Sequence, residues 1–270
     1  MTKERLEINM ENSLKSRLWI WGQDPGTHHA ERDNVYNLPG ENKMTPDEGA
    51  RYLGVENVCR VVMEDKPEPP FDGEAEKLKE FPKVAWSIIG SCGSARNHGG
   101  GNDLDEVIDL SKKYPNIVAG IMDDFMCPSR MSVYTPDIIR GYADILHAHN
   151  LSMWTVIYEH ELMDEAAPYL AECDVITFWT WCGSNLKNLE ENFSRVRSLC
   201  TPDKSLMVGC YLWNYGESRP LTMDEMKYQL DVYGAWLAEG KVDGIIFCSN
   251  CICDIGLDTV AYAKEWIARL

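Results

Sequence analysis

Short apolar runs, rich in β-branched and aromatic residues, alternate along the chain with segments whose apolar positions recur at helical spacing. Eight runs read as strands: 18–21, 58–63, 84–89, 117–122, 152–158, 175–179, 206–213 and 244–248. The seven intervals between Leu18 and Gly244 average about 32 residues, the length of a strand plus a covering helix and too long for hairpins. Strands that are apolar at nearly every position belong to a parallel sheet buried on both faces.

The intervening segments carry helix starts with a physical basis. Thr45-Pro46-Asp47-Glu48 offers a hydroxyl cap, a proline at the first helical position and a glutamate able to reach back to the cap amide. Thr222 and Glu225 repeat that spacing, and Thr135-Pro136 opens a third helix with Ile138, Ile139, Tyr142, Ile145 and Leu146 on one face. Segments 105–114, 164–172, 185–199 and 257–270 supply four more, and 73–81 the least regular one. An open doubly wound sheet would be expected to show G-x-G-x-x-G or a Walker A loop, and the chain has neither. Eight alternating units therefore predict the α/β class and a single (β/α)8 TIM barrel, one domain spanning residues 1–270.

Composition narrows the partners. With 26 Lys+Arg against 43 Asp+Glu the net charge is −17, a field that repels phosphate backbones and anionic lipid, so neither nucleic acid nor a membrane surface is an expected partner. No apolar run approaches the ~18 residues of a membrane span, and the segment before Leu18 lacks a signal-peptide core. Several of the ten cysteines, Cys59, Cys210 and Cys248 among them, lie in apolar strand runs where thiols act as small hydrophobes. The expected setting is reducing and cytoplasmic.

In a βα barrel the ligand site forms at the carboxyl ends of the strands. Those positions hold Gln23, Asp24, His28 and His29 after the first strand, Glu64 and Asp65 after the second, Asp123 and Asp124 after the fourth, and Glu159, His160 and Glu161 after the fifth. Adjacent strand residues face opposite ways, so Asp123 and Asp124 both reach the mouth only if the strand has ended or bulged there. If they do, mutual repulsion raises one pKa and sets an acid beside a base. Glu159 lies one strand over. At ~4.8 Å between strands, a carboxyl pair across them can reach the ~5–5.5 Å of retaining or the ~6.5–9.5 Å of inverting glycosidases. Trp21, Trp179, Trp181, Tyr211 and Trp213 gather at strand exits, where aromatic faces suit a sugar ring, and Asn214 and Asn250 add polar groups. His98-Gly99-Gly100-Gly101 resembles the oxyanion-hole turn of lipases, but no G-x-S-x-G elbow accompanies it.

Asp123-Asp124, Trp179-Thr180 and Trp213-Asn214-Tyr215 resemble segments of the O-GlcNAcase-type glycoside hydrolases. The resemblance implies that Asp123 polarises a substrate acetamido group, Asp124 serves as acid/base, and Asn214 binds a sugar hydroxyl. The leading expectation is a cofactor-free, metal-free glycoside hydrolase acting on a small carbohydrate, with Asp123, Asp124 and Glu159 as catalytic carboxylates. Two alternatives are a metal-dependent sugar isomerase or epimerase, using His28, His29 and His160 with these carboxylates, and a barrel that binds carbohydrate without turning it over.

Overall fold

The computed structural model describes residues 14–270. The expectation of no targeting segment rests largely on residues 1–13 and lies outside the described residues. Eight parallel strands close in sequence order into a barrel: β1 Leu18–Gly22, β2 Asn57–Arg60, β3 Lys83–Ile89, β4 Ile117–Met122, β5 Ser152–Tyr158, β6 Val175–Trp179, β7 Ser205–Tyr211 and β8 Gly244–Cys248, with β8 pairing back onto β1. The eight main covering helices are α1 Pro46–Leu53, α2 Asp72–Leu78, α3 Leu104–Lys113, α4 Pro136–Ala148, α5 Ala167–Leu170, α6 Leu189–Leu199, α7 Met223–Ala238 and α8 Asp258–Arg269. The single (β/α)8 barrel read from the pattern is thus the observed fold. Among the described residues, no helix is long and apolar enough to cross a membrane.

The helix starts form as their chemistry requires. At α7 the Glu225 amide donates to the Thr222 hydroxyl at 3.2 Å while the Thr222 amide donates to the Glu225 carboxylate at 2.7 Å. Two strands are shorter than their apolar runs. The second ends at Arg60, whose buried guanidinium pairs with Asp24 and Glu74, and beyond it Met63 exchanges backbone bonds with Lys66 in a tight turn. The seventh ends at Tyr211, so that Leu212 and Trp213 begin the following loop.

Indole rings fill the barrel. Trp19 meets Trp154 edge-on at 4.9 Å between centroids, and one layer higher Trp21 meets Trp179 at 5.2 Å. Trp179 lies across Gly209, its register partner on β7; a Cβ there would sit 1.9 Å from the ring. Only glycine leaves room for the indole.

Gly209→Ala therefore forces Trp179 out of place, and overpacking of this kind destabilises by roughly 1–3 kcal/mol. Urea or thermal unfolding is expected to show a loss of that size. Wild-type stability in the variant would mean the ring does not occupy this groove.

Candidate active site

Above the Trp21 layer the barrel opens into a cavity at the carboxyl ends of its strands. Its polar floor comes from β4. The strand ends at Met122, and Asp124 takes a left-handed conformation with φ of 45°, a region Asp tolerates better than most residues. This bend brings Asp123 and Asp124 to the same cavity.

The two carboxyl groups sit in different surroundings. Asp123 is only 4% exposed, and one of its oxygens accepts the Asp124 amide at 2.9 Å. Burial, then the neighbouring Asp124 carboxylate, push its pKa well above the usual carboxylate range, opposed by the Arg130 guanidinium. Asp124 lies nearer the solvent and accepts the Tyr158 hydroxyl at 2.7 Å and the Cys92 amide at 3.0 Å. Arg130 donates to the carbonyls of Gly90 and Ser91, each at 2.7 Å, and to that of Asp123, tying the β3 and β4 exits together.

Aromatic rings form the walls. Trp21, Trp181 and Tyr211 line the cavity as expected, joined by Tyr36, Tyr158 and Tyr215. Tyr215 stacks on Trp181 at 5.8 Å, and its hydroxyl lies 2.8 Å from His28 Nδ1. Burial, with a smaller push from His29, holds the His28 imidazole down to about 3, so it is neutral at neutral pH. An outer depression shares Tyr36, Asp124, Tyr158 and Trp181, which gives the aspartate pair a path to solvent.

His160 and Glu161 line the outer depression, whereas Glu159, Trp179, Trp213, Asn214 and Asn250 line neither space and hold the residues that do. Glu159 turns its carboxylate away from the aspartates and accepts the Trp181 and Cys182 amides at 2.8 and 3.1 Å and the Asn185 amide group at 3.0 Å. Burial would raise its pKa, but hydrogen bonds from His160, Asn185 and the two backbone amides keep it below the ordinary value. Asn214 accepts the Gly183 amide at 3.1 Å, fastening the β7 loop to the loop that carries Trp181. Trp213 donates to the Tyr36 carbonyl at 3.0 Å. Asn250 clamps Gln23 through its amide at 2.8 Å and its carbonyl at 2.9 Å. Trp179 is the buried ring over Gly209.

Gln23, His28 and Tyr215, which follow strand ends in the sequence, and Tyr158, which closes β5, also line the cavity, although the leading expectation gave none of them a role in binding substrate. Tyr36 had no signal at all, lying mid-loop between β1 and α1. The donors of the metal-dependent alternative are dispersed: His28 faces Tyr215, His29 Nε2 lies 3.1 Å from the Pro39 carbonyl, and His160 stacks on Tyr158. Among the described residues, no group of three His, Cys, Asp or Glu side chains is arranged to hold a metal ion.

No known protein family matches the chain, and no curated protein is similar to it in sequence. Among solved structures, the barrel is similar to a chitinase from Chromobacterium violaceum at 8% identity and a TM-score of 0.56, covering 94% of this chain and 99% of that one. It is also similar to a glycoside hydrolase family 17 β-1,3-glucanosyltransferase from Rhizomucor miehei at 11% identity and 0.51, covering 75% and 79%. A tryptophan synthase A-subunit from Pyrococcus furiosus matches at 11% and 0.51, covering 94% and 96%. These likenesses establish the (β/α)8 barrel fold alone, one shared by unrelated chemistries. They show no link to the O-GlcNAcase-type hydrolases.

Glu159→Gln keeps the shape of the side chain and removes its charge, and a charged acceptor adds about 1 kcal/mol over a neutral one. Because the folded pKa lies below the unfolded one, this stability is complete above the ordinary carboxylate pKa and is lost as pH falls through the folded value. The variant is expected to be less stable than wild type at neutral pH and to converge with it in acid, by urea unfolding across pH. A constant difference at all pH values would contradict the assignment.

Proposed function

We propose that the protein is a glycoside hydrolase acting on a small glycoside, the barrel domain of residues 1–270 being its active unit. The observation that carries this reading is the placement of Asp123 and Asp124 in one aromatic-walled cavity, one buried with its pKa pushed up, the other within reach of solvent. Paired carboxyl groups pushed apart in proton affinity are what glycosidic cleavage needs: an acid for the leaving oxygen and an anion for the oxocarbenium-like centre.

In this reading the buried Asp123 holds the proton and delivers it to the glycosidic oxygen. Asp124, oriented by Tyr158 and Cys92, stabilises the positive charge that develops at the anomeric carbon, to which a water molecule then adds, its proton returning to Asp123. The order is the reverse of the one implied by the resemblance, because burial and the Asp124 charge both favour the protonated form of Asp123. Trp21, Trp181 and Tyr211 offer faces to the sugar. Glu159, Asn214, Trp213 and Asn250 position the walls, and Glu159 takes no part in proton transfer. The ten free cysteines support a cytoplasmic setting.

A panel of aryl glycosides tests the reading. Turnover is expected for at least one member, unaffected by chelator, and Asp123→Asn is expected to lower kcat/KM by about 10²–10⁴-fold. Binding without turnover across the panel would favour the non-catalytic barrel instead.

The pH profile separates the two aspartates. Activity requires a protonated Asp123, so the alkaline limb is expected above the ordinary carboxylate range. Asp124→Asn removes a negative charge that makes Asp123 ionisation unfavourable, so the limb should move to lower pH in whatever activity remains. A shift to higher pH, or none, would show that Asp123 is not the titrating acid.

A further inference from the structure

The cavity's charge is one-sided. Six aromatic side chains, Trp21, Tyr36, Tyr158, Trp181, Tyr211 and Tyr215, surround two aspartates, and no lysine or arginine of the described residues lines the space. The one basic side chain that does, His28, is buried against Tyr215 and neutral. Nearby basic groups are committed elsewhere: Arg130 to three carbonyl oxygens and, at the outer depression, Arg32 to Glu31 at 3.0 Å and the His160 ring to Glu159 at 3.6 Å.

A second observation points the same way. Gln23 lines the cavity at 3% exposure, and its amide nitrogen donates to the Met63 sulfur at 3.1 Å. This leaves Gln23 Oε1 buried with no hydrogen-bond partner among the described residues. An unpaired buried acceptor in a ligand cavity is satisfied by a donor on the ligand. A site of π faces, carboxylate and orphan carbonyl oxygen, with no positive charge of its own, complements a cation that carries N–H donors.

We propose that the ligand is cationic: a glycoside whose sugar bears a free, protonated amine, held by Asp124, the orphaned Gln23 oxygen and the aromatic faces. The proposal rests on the hydrolase reading and names its substrate class. An amine rather than an acetamide group occupies the cavity, and the chain's charge of −17 draws such a substrate toward it.

Titration of the intact protein with D-glucosamine, D-glucose, N-acetyl-D-glucosamine and tetramethylammonium, followed by calorimetry and by tryptophan fluorescence from the Trp21 and Trp181 walls, tests it. Glucosamine is expected to bind at least about tenfold more tightly than either neutral sugar, and tetramethylammonium to compete with it. Gln23→Leu should weaken glucosamine about tenfold and leave tetramethylammonium, which has no N–H, unchanged. Asp124→Asn should weaken both. The proposal is overturned if the wild-type protein binds glucose or N-acetylglucosamine as tightly as glucosamine, a comparison that needs no variant to fold. The two readings fail separately: cation preference without turnover of any aryl glycoside removes only the hydrolase, while turnover of neutral glycosides without cation preference removes only the amine.

Discussion

Arg130 is 5% exposed, and the two terminal nitrogens of its guanidinium donate to the carbonyls of Gly90, Ser91 and Asp123. A buried cation without partners is costly, and carbonyl oxygens satisfy its geometry without neutralising its charge. Two consequences follow from this choice of partners. The β3 and β4 exits are locked to one another, which fixes where the chain bends at Asp124. Because the cation is not consumed by a carboxylate of its own, its field still reaches the Asp123 carboxyl, where it opposes burial and the Asp124 charge. The proton affinity of Asp123 is thus a balance between burial and the charges of Asp124 and Arg130 rather than a property of depth alone.

The same economy of partners shapes the rim. Glu159, Asn214, Trp213 and Asn250 each use side-chain polarity to hold backbone groups of a neighbouring loop, and in each case that loop presents a cavity residue: Trp181 for the first two, Tyr36 for the third, Gln23 for the fourth. Loops at a barrel mouth have exposed amides that nothing in the sheet satisfies. Supplying hydrogen-bond partners from another βα unit satisfies the groups these loops leave open and sets the wall positions together. The rim from the β5 exit through β6, β7 and β8 to β1 is therefore linked by hydrogen bonds.

The barrel was legible in the sequence because its signals are local and repeated: apolar runs, caps and spacing each report on a few consecutive residues. The aspartate pair was legible for the same reason, since the fourth apolar run ends directly before Asp123. What the pattern did not carry was direction. A polar residue just past a strand either faces the ligand or captures amides of the next loop, and Glu159 and Asp124 look alike on that criterion. Trp179 and Trp181 differ by two positions, yet one fills the groove over Gly209 and the other walls the cavity; the deciding feature is a glycine 30 residues away on another strand. Tyr36 reaches the mouth by a long loop and is placed by Trp213, a contact across 177 residues of sequence.

The layer formed by Trp21 and Trp179 belongs at once to the core and to the site. Trp21 is packed edge-on against Trp179 from below and faces the ligand space from above, so its position follows from the close fit of Trp179 over Gly209. Interiors packed at crystal-like density transmit such displacements rather than absorb them. A change in the groove on β7 therefore moves the cavity wall as well as the core. The depth at which Asp123 sits beside that wall, and with it the desolvation that raises its pKa, is set by how the indoles stack inside the barrel.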